Sequence, residues 1–361
     1  MSVTSQGATV GWGLQSGGLK EAAIATWYRH KGMAIGISPN VQKQIAPPEI
    51  GGNNNPTGGF VSGSHVEGRL SVIPRLEGDF GWLLLAATGN CLSAANGTTG
   101  YSNRFRQAPG LATFLPFMGF RRIIPARTAN GFLGEIFTDC IVSSMALTFP
   151  QVGYMSAEFD IIGRFWQFDN APALWTWSDI TEDFDSVPMV MKGSGIRLPN
   201  LAILNGEPLP ATNARITLNN NTTTVREERV LGSYHPEDYT PKQRSLQLEF
   251  TYKWRDSGLY RFLLNGGDPA TLDFQPCIPN SDFELRVESA CDIDEGVINH
   301  PWALQIDAPN VMWQASPLQL SGDDLLMLQI TGTAMEAASG LAEDYFGITV
   351  ENEVSAYTVP A

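Results

Sequence analysis

Little in this sequence has the residue types and spacing for covalent chemistry. The natural general bases, His30, His65, His235 and His300, stand at no spacing that pairs them with each other or with a nucleophile. There is no G-x-S-x-G elbow, no H-E-x-x-H zinc motif, no G-x-x-x-x-G-K-[ST] phosphate loop and no G-x-G-x-x-G dinucleotide turn. Carboxylate pairs of the glycosidase kind meet only in the fold and leave no linear trace. Asp179, Glu182, Asp183 and Asp185 could crowd a hard cation, but they lack the ordered ligands of a calcium loop and read as an acidic turn. "CDIDEG" (291–296) begins like such a loop and lacks its final Glu. Cys91, Cys140, Cys277 and Cys291 form no C-x-x-C pair and read as free thiols. The expectation is a protein that is not an enzyme and has neither cofactor nor metal.

Charge narrows the class further. The 361-residue chain holds 23 Lys and Arg against 37 Asp and Glu, a net charge of −14. Affinity for nucleic acid comes mainly from cations that neutralise phosphates, so this composition suits a surface that repels DNA. Charged residues make up 17%, below the usual quarter, which suggests surface buried against partners. The N-terminus lacks a basic region followed by an apolar run, so no signal peptide is expected. No apolar window approaches the ~18 residues of a membrane span. Synthesis in a cytoplasm, with no membrane partner, follows as the expectation.

The elements that must position any functional residues are mostly strands. Alternation of apolar and polar residues marks 136–149, 155–163, 214–220, 244–254, 283–290, 323–332 and 345–354 as half-buried strands. Spacings too short for intervening helices imply antiparallel sandwich or barrel architecture. Two segments depart from this pattern. "DFGWLLLAATG" (79–89) and "DSGLYRFLLNG" (256–266) each begin with Asp and end with Gly. Asp79 and Asp256 can accept orphan N–H groups at a helix start, and Gly89 and Gly266 can take the left-handed conformation that closes one. Each is therefore expected to be a short helix packed on the sheets.

The two segments overlay without gaps, and downstream "GYMSAEFDIIG" (153–163) overlays "GDDLLMLQITG" (322–332), Gly163 falling on Gly332. The chain therefore reads as a tandem duplication, with modules at 1–195 and 196–361. The strand leading into "GWLLLAATG", together with "DCIVSSMALTFPQVGYMSAEFDIIGR", resembles the tail tube proteins of bacteriophages with long, non-contractile tails. Residues 216–267 look like the same module again.

That resemblance implies a mainly β fold. Each of two tandem antiparallel β-sandwich modules would be flanked by a short α-helix and would join its neighbours in a β-barrel around a lumen. It implies a structural virion protein, the major tail tube subunit, assembled in the host cytoplasm. Its partners would be itself, the tape measure protein and DNA transiently in the lumen, and the tail terminator and distal tail proteins. Single-module tubes close with six copies, so a two-module chain would close as a homotrimeric, pseudo-hexameric ring. Rings stacked head to tail make an open filament. A capsid decoration or baseplate protein, or a carbohydrate-binding sandwich, remains the competing reading, since aromatic loops suit sugars as well as assembly.

Three groups of residues are candidates for these roles. Acidic positions on or beside the alternating strands, Glu67, Glu77, Glu158, Asp160, Glu249, Asp323 and Asp324, would line a net-negative lumen; their bland alternative is a solvated outer face. Residues 91–133 are long for a structureless loop and combine Arg104, Arg106, Arg121 and Arg122 with Phe114, Phe117 and Phe120. They read as an arm stacking on the next ring, or else as an ordinary surface hairpin. Trp166, Trp175 and Trp177 lie in an aromatic-rich stretch that suits packing between modules or between subunits.

Overall fold

In the computed structural model of the chain, the residues described are 7–30, 34–47, 58–76, 78–97, 99–108, 114–125, 131–182, 195–198, 207–255, 257–265, 281–292, 301–317, 325–341 and 344–361. The fold is mainly β. Strands β1 (Thr9–Leu14), β2 (Tyr28–Arg29), β3 (Ala34–Ile35), β4 (Ser38–Ile45) and β5 (Gly59–Val72) lead into helix α1 (Phe80–Thr88). Next come β6 (Gly89–Asn96), β7 (Gly100–Gln107), β8 (Met118–Pro125), β9 (Phe132–Phe149) and β10 (Ser156–Phe168). Two short strands, β11 (Thr181–Glu182) and β12 (Ile196–Arg197), precede β13 (Ala211–Asn219) and β14 (Ser245–Lys253). Helix α2 (Gly258–Asn265) is followed by β15 (Ser281–Asp292), β16 (Pro301–Ala315), β17 (Met327–Ala334) and β18 (Gly347–Asn352).

Eight strands form one antiparallel band in the order β4–β5–β10–β9–β13–β14–β17–β16. Its sheet does not close into a barrel within one chain. Strand β9 is long enough to serve two neighbours on one side, β8 through Phe132–Cys140 and β13 through Ser144–Phe149. Strand β16 does likewise with β18 and β17. A second layer runs as β8–β1–β2 from β9 and as β18–β7–β6 from β16, while β15, with β12 beside it, pairs with β16, β3 pairs with β5 and β11 pairs with β2.

The largest hydrophobic cluster among the described residues draws on both layers and on both halves of the chain. Phe159, Met145 and Leu147 from the first half, and Leu248, Phe250, Ile330 and Ile348 from the second, belong to it with helix α1. Strands β9 and β13 pair across the halves, as do β7 and β18. The described residues on either side of 195–196 therefore share one folded body. Asn220, fully buried, donates from Nδ2 to the Val142 and Ala87 carbonyls at 2.9 and 3.0 Å, tying that seam to α1.

Helix α1 is a Leu- and Ala-rich segment with eight of its nine residues buried, which is what an all-round apolar helix requires. Gly89 ends it at φ 94°, and its N–H donates to the Leu85 carbonyl. Asp79 does not cap the helix through its side chain. Its Oδ1 instead lies 2.6 Å from His30 Nδ1 in a buried pair. Helix α2 is half-exposed and anchors through Leu259 and Leu263, one turn apart. Asp256 and Gly266 lie outside the described residues.

Residues 91–133 are not one long loop. Their described parts supply most of β6, all of β7 and β8, and the start of β9. Phe120 is 1% exposed and Phe117 is buried within the chain. Three arginines of this stretch pair with carboxylates of other strands or loops. Arg104 binds Asp307 at 2.7 Å, Arg121 binds Asp169 at 2.7 Å, and Arg122 binds Glu135 at 2.5 Å. Arg106 is half-buried on β7, and Phe114 is exposed.

Candidate lumen face and assembly edges

One face of the eight-stranded band packs on the core and the other is polar. Register places the polar side chains of successive strands opposite one another. Arg69, Asp160, Ser144, Asn219 and Ser245 form one row across the band, and Thr148, Arg215, Glu249, Thr331 and Gln314 form another. The alternation that buries Phe159 and Ile161 therefore presents Glu158 and Asp160 on the opposite face.

Glu67, Glu158, Asp160 and Glu249 all lie on this face. They do not stand alone. Arg69 Nε lies 2.7 Å from Asp160 Oδ1, Arg69 Nη1 lies 3.2 Å from Glu158 Oε2, and Arg215 lies 3.9 Å from the same carboxylate. These pairs are exposed, so each contributes only about 0–1 kcal/mol. Among the described residues the open face, with Lys253, carries four acids against three cations, one net negative charge, instead of a bare acidic wall. Glu77, Asp323 and Asp324 lie outside the described residues.

Asp160 shows how its neighbours act. Partial burial alone would raise its carboxyl, but hydrogen bonds from Arg69 and Ser144 and the charges of Arg69 and Arg215 hold it below the usual carboxylate range. The charges are also unevenly shared between the halves. By register, Arg69, Glu158 and Asp160 occupy the positions that Thr251, Met327 and Gln329 fill in the second half.

The loop from Asn220 to Gln243 covers the polar face at one end of β5, β9 and β10. Arg164, 4% exposed, holds it by donating to the Pro236 carbonyl and to Asp139 Oδ2, both at 2.8 Å. Tyr239 Oη donates to the Gly163 carbonyl at 3.3 Å.

The two halves repeat the same local arrangement. Gly163 on β10 faces Cys140 on β9, and Gly332 on β17 faces Trp313 on β16. A Cβ at either glycine would collide with that cross-strand side chain, Cys140 Sγ or the Trp313 ring. Val66 pairs with Gly163 as Leu248 pairs with Gly332, which makes β5 and β14 equivalent with an offset of 182. The helices overlay at 177, so the strand-to-helix connection is five residues shorter in the second half. On the same basis β4, beside β5, corresponds to β13, beside β14.

Among the described residues β13 has partners on both sides, whereas β4 pairs only with β5. Among the described residues, no strand pairs with β16 beyond Val311 on the side away from β17. A long unpaired edge is a template for pairing with another chain. Near it, the β4–β5 hairpin exposes Val41, Ile45, Phe60 and Val61, with Leu231 and Tyr234 also exposed.

The profile of a family described as phage tail tube protein matches residues 17–334, most of the chain. The chain belongs to the phage tail tube protein family. No curated protein matches it. Members of this family are structural proteins of the virion tail that self-assemble into a tube, and they are generally not enzymes. No helix among the described residues is long and apolar enough to cross a membrane.

The aromatic stretch packs locally. Trp175 lies against Trp27 with ring centroids 5.6 Å apart, and Arg121 sits 4.7 Å over its ring. Trp166 donates from Nε1 to Glu135 at 3.3 Å and meets Phe168 edge-on. These partners all belong to the first half of the tail tube protein. The side chain of Trp177 lies outside the described residues. Asp179 accepts from the Thr176 N–H at 2.7 Å and belongs to a local turn.

Sequence reasoning missed Arg69 and Arg215. Both sit at alternate positions in strands, so parity places them on the acidic face, but their pairing with the acids needs the strand order.

Proposed function

We propose that the polar face of the eight-stranded band lines the bore of the tail and that three copies close each ring. The observation that carries this reading is the β9–β13 seam. Inside one chain the second half docks its β13 on the edge of β9. Among the described residues the equivalent strand of the first half, β4, is open on that side, and so is the end of β16. A neighbour that repeats the internal seam with β4 on β16 joins the two open edges of the band, and two modules per chain make six equivalent positions from three chains. The exposed apolar end of the β4–β5 hairpin then contacts a further copy.

A wall of amides, hydroxyls and paired charges with a small negative excess suits DNA transit. It supplies no cluster of cations whose counterion release would hold the duplex. In this reading the tape measure protein and then the genome occupy the bore, and terminator and distal tail proteins cap the ends of a tube assembled in the host cytoplasm.

Negative-stain imaging of the purified, concentrated chain tests this directly. Hollow rods whose end-on averages show three-fold true and six-fold approximate symmetry are expected. Six chains per ring would refute the two-module closure, and compact particles at every salt concentration would refute the tube.

A further inference from the structure

The loop that joins β13 to β14 (220–243) does not stay within its own half. It crosses the polar face of β9, β10 and β5, where its Val225 and Tyr239 pack with Ile141 and Ile162. Its Tyr234 carbonyl accepts from the Ser64 N–H at 2.8 Å, and Arg229 Nη1 donates to Gln42 Oε1 at 3.0 Å. Beneath it Asp139, fully buried, accepts from Arg164 and from the Glu21 N–H. The cause is steric. Strand β8 pairs with β9 as far as Cys140, so β13 cannot run on past Ser144 in the plane of the sheet, and the chain after it is turned onto the face.

The second half repeats this face without the cover. Asp139 precedes Cys140 as Met312 precedes Trp313, and Arg164 follows Gly163 as Thr333 follows Gly332. The buried pair Asp139–Arg164 therefore corresponds to the cross-strand pair Met312–Thr333. Met312 is 41% exposed, whereas Asp139 is 0% exposed. It is an apolar side chain on a polar face, with Gln314, Thr331 and Gln247 around it.

We infer that Met312 and Thr333 are the seat for the end of the β4–β5 hairpin of the neighbouring copy in the same ring, which lies over them as 220–243 lies over Asp139 and Arg164. The inference rests on the tube reading above and names the copy that this hairpin end meets. The occupant follows from equivalence. Strands β4 and β5 correspond to β13 and β14, so the chain that joins them corresponds to 220–243. The same obstruction also applies. Strand β15 pairs with β16 as far as Val311, which leaves an entering β4 only the stretch of β16 from Met312 onward, and the rest of the hairpin must leave the sheet. Where it leaves it carries Ile45, Phe60 and Val61, all exposed in the single chain. Laying these on Met312 removes apolar surface from water on both sides.

Photocrosslinking reads the contact in assembled protein. A Phe60→p-benzoylphenylalanine chain, and separately an Ile45→p-benzoylphenylalanine chain, is co-assembled with an excess of isotopically labelled wild type, irradiated and mapped by mass spectrometry. Adducts to labelled peptides at Met312 or Thr333 are expected in rods and absent from dilute, unassembled mixtures. Adducts that map to other surfaces, or only within the probe chain, would overturn the inference. Met312→Glu tests the energetics. Because Met312 is exposed in the single chain, the melting temperature of the unassembled variant should match wild type, while the concentration needed to pellet rods should rise by about tenfold or more. Rods at the wild-type concentration would overturn the seat, and so would a lower melting temperature, which would make Met312 part of the fold of the single chain. If wild type forms no rods under any condition, the tube reading fails first and the inference falls with it. Intact rods with adducts elsewhere remove the seat alone.

Discussion

Asn220→Ala probes whether the two halves fold as one body. Asn220 is fully buried where β13 meets β9, and its Nδ2 satisfies one carbonyl on β9 and one in the last turn of α1. The Ala87 carbonyl is among those a helix end leaves without an internal partner. Losing both bonds with the acceptors still buried costs about 2–4 kcal/mol, and removing the unpartnered Oδ1 returns about 1 kcal/mol. The expected net loss is about 1–3 kcal/mol. Urea unfolding of dilute, unassembled chain, followed by far-UV circular dichroism and tryptophan fluorescence, gives the measurement. Tryptophans occur in both halves, Trp12 and Trp82 in one and Trp302 and Trp313 in the other. Both signals should show one transition and move together to lower urea. Two separate transitions with only one displaced, or a loss below about 0.5 kcal/mol, would refute the shared core and the role of the seam.

Four further outcomes are expected. Because Ser144 faces Asn219 in the internal seam, equivalence places Ser316 opposite Gln42 between copies. A Gln42→Cys, Ser316→Cys chain should therefore oxidise to covalent oligomers ending at three, and absence of any ladder would remove the edge assignment. Gly163→Val drives a side chain into Cys140, costing about 1–3 kcal/mol, and Cys140→Ala should recover part of that; additive losses in a double-mutant cycle would count against the contact. Asp160 has a depressed folded pKa, so its contribution is present above the unfolded value near 3.9 and is lost as pH falls through the folded one. Asp160→Asn should flatten the stability profile between about pH 2 and 5, and an unchanged slope would show that the pairing contributes nothing. Finally, changing Glu67, Glu158, Asp160 and Glu249 to Lys should leave rods intact and slow genome ejection; normal ejection would move the bore to another surface.

Strong period-2 stretches were legible in the sequence because each has one face on the core and one on solvent. That is the case for Glu158 and Asp160 against Phe159 and Ile161. Both helices were legible as breaks in this rhythm. Strand β16 was missed although 303–308 alternates. Pro309 interrupts the pattern where the ladder with β15 shifts register, as a proline in a strand must. The region around β6 to β8 was misread for a different reason. Its arginines find carboxylates as far away in sequence as Asp307, and no local pattern reveals such a pairing. The shared face of the acids followed from parity within each strand, while their arginine partners depended on which strands become neighbours.

Covalent fusion frees paired positions from having to be identical. Arg69, Glu158 and Asp160 form an ionic patch, whereas their counterparts Thr251, Met327 and Gln329 are uncharged. A ring of six identical modules would repeat one surface six times. In the three-copy ring proposed here, charged sectors alternate with neutral ones, so a duplex threading the bore meets a potential of three-fold period. In such a ring hydration and mobile ions concentrate over the three charged sectors and thin over the neutral ones.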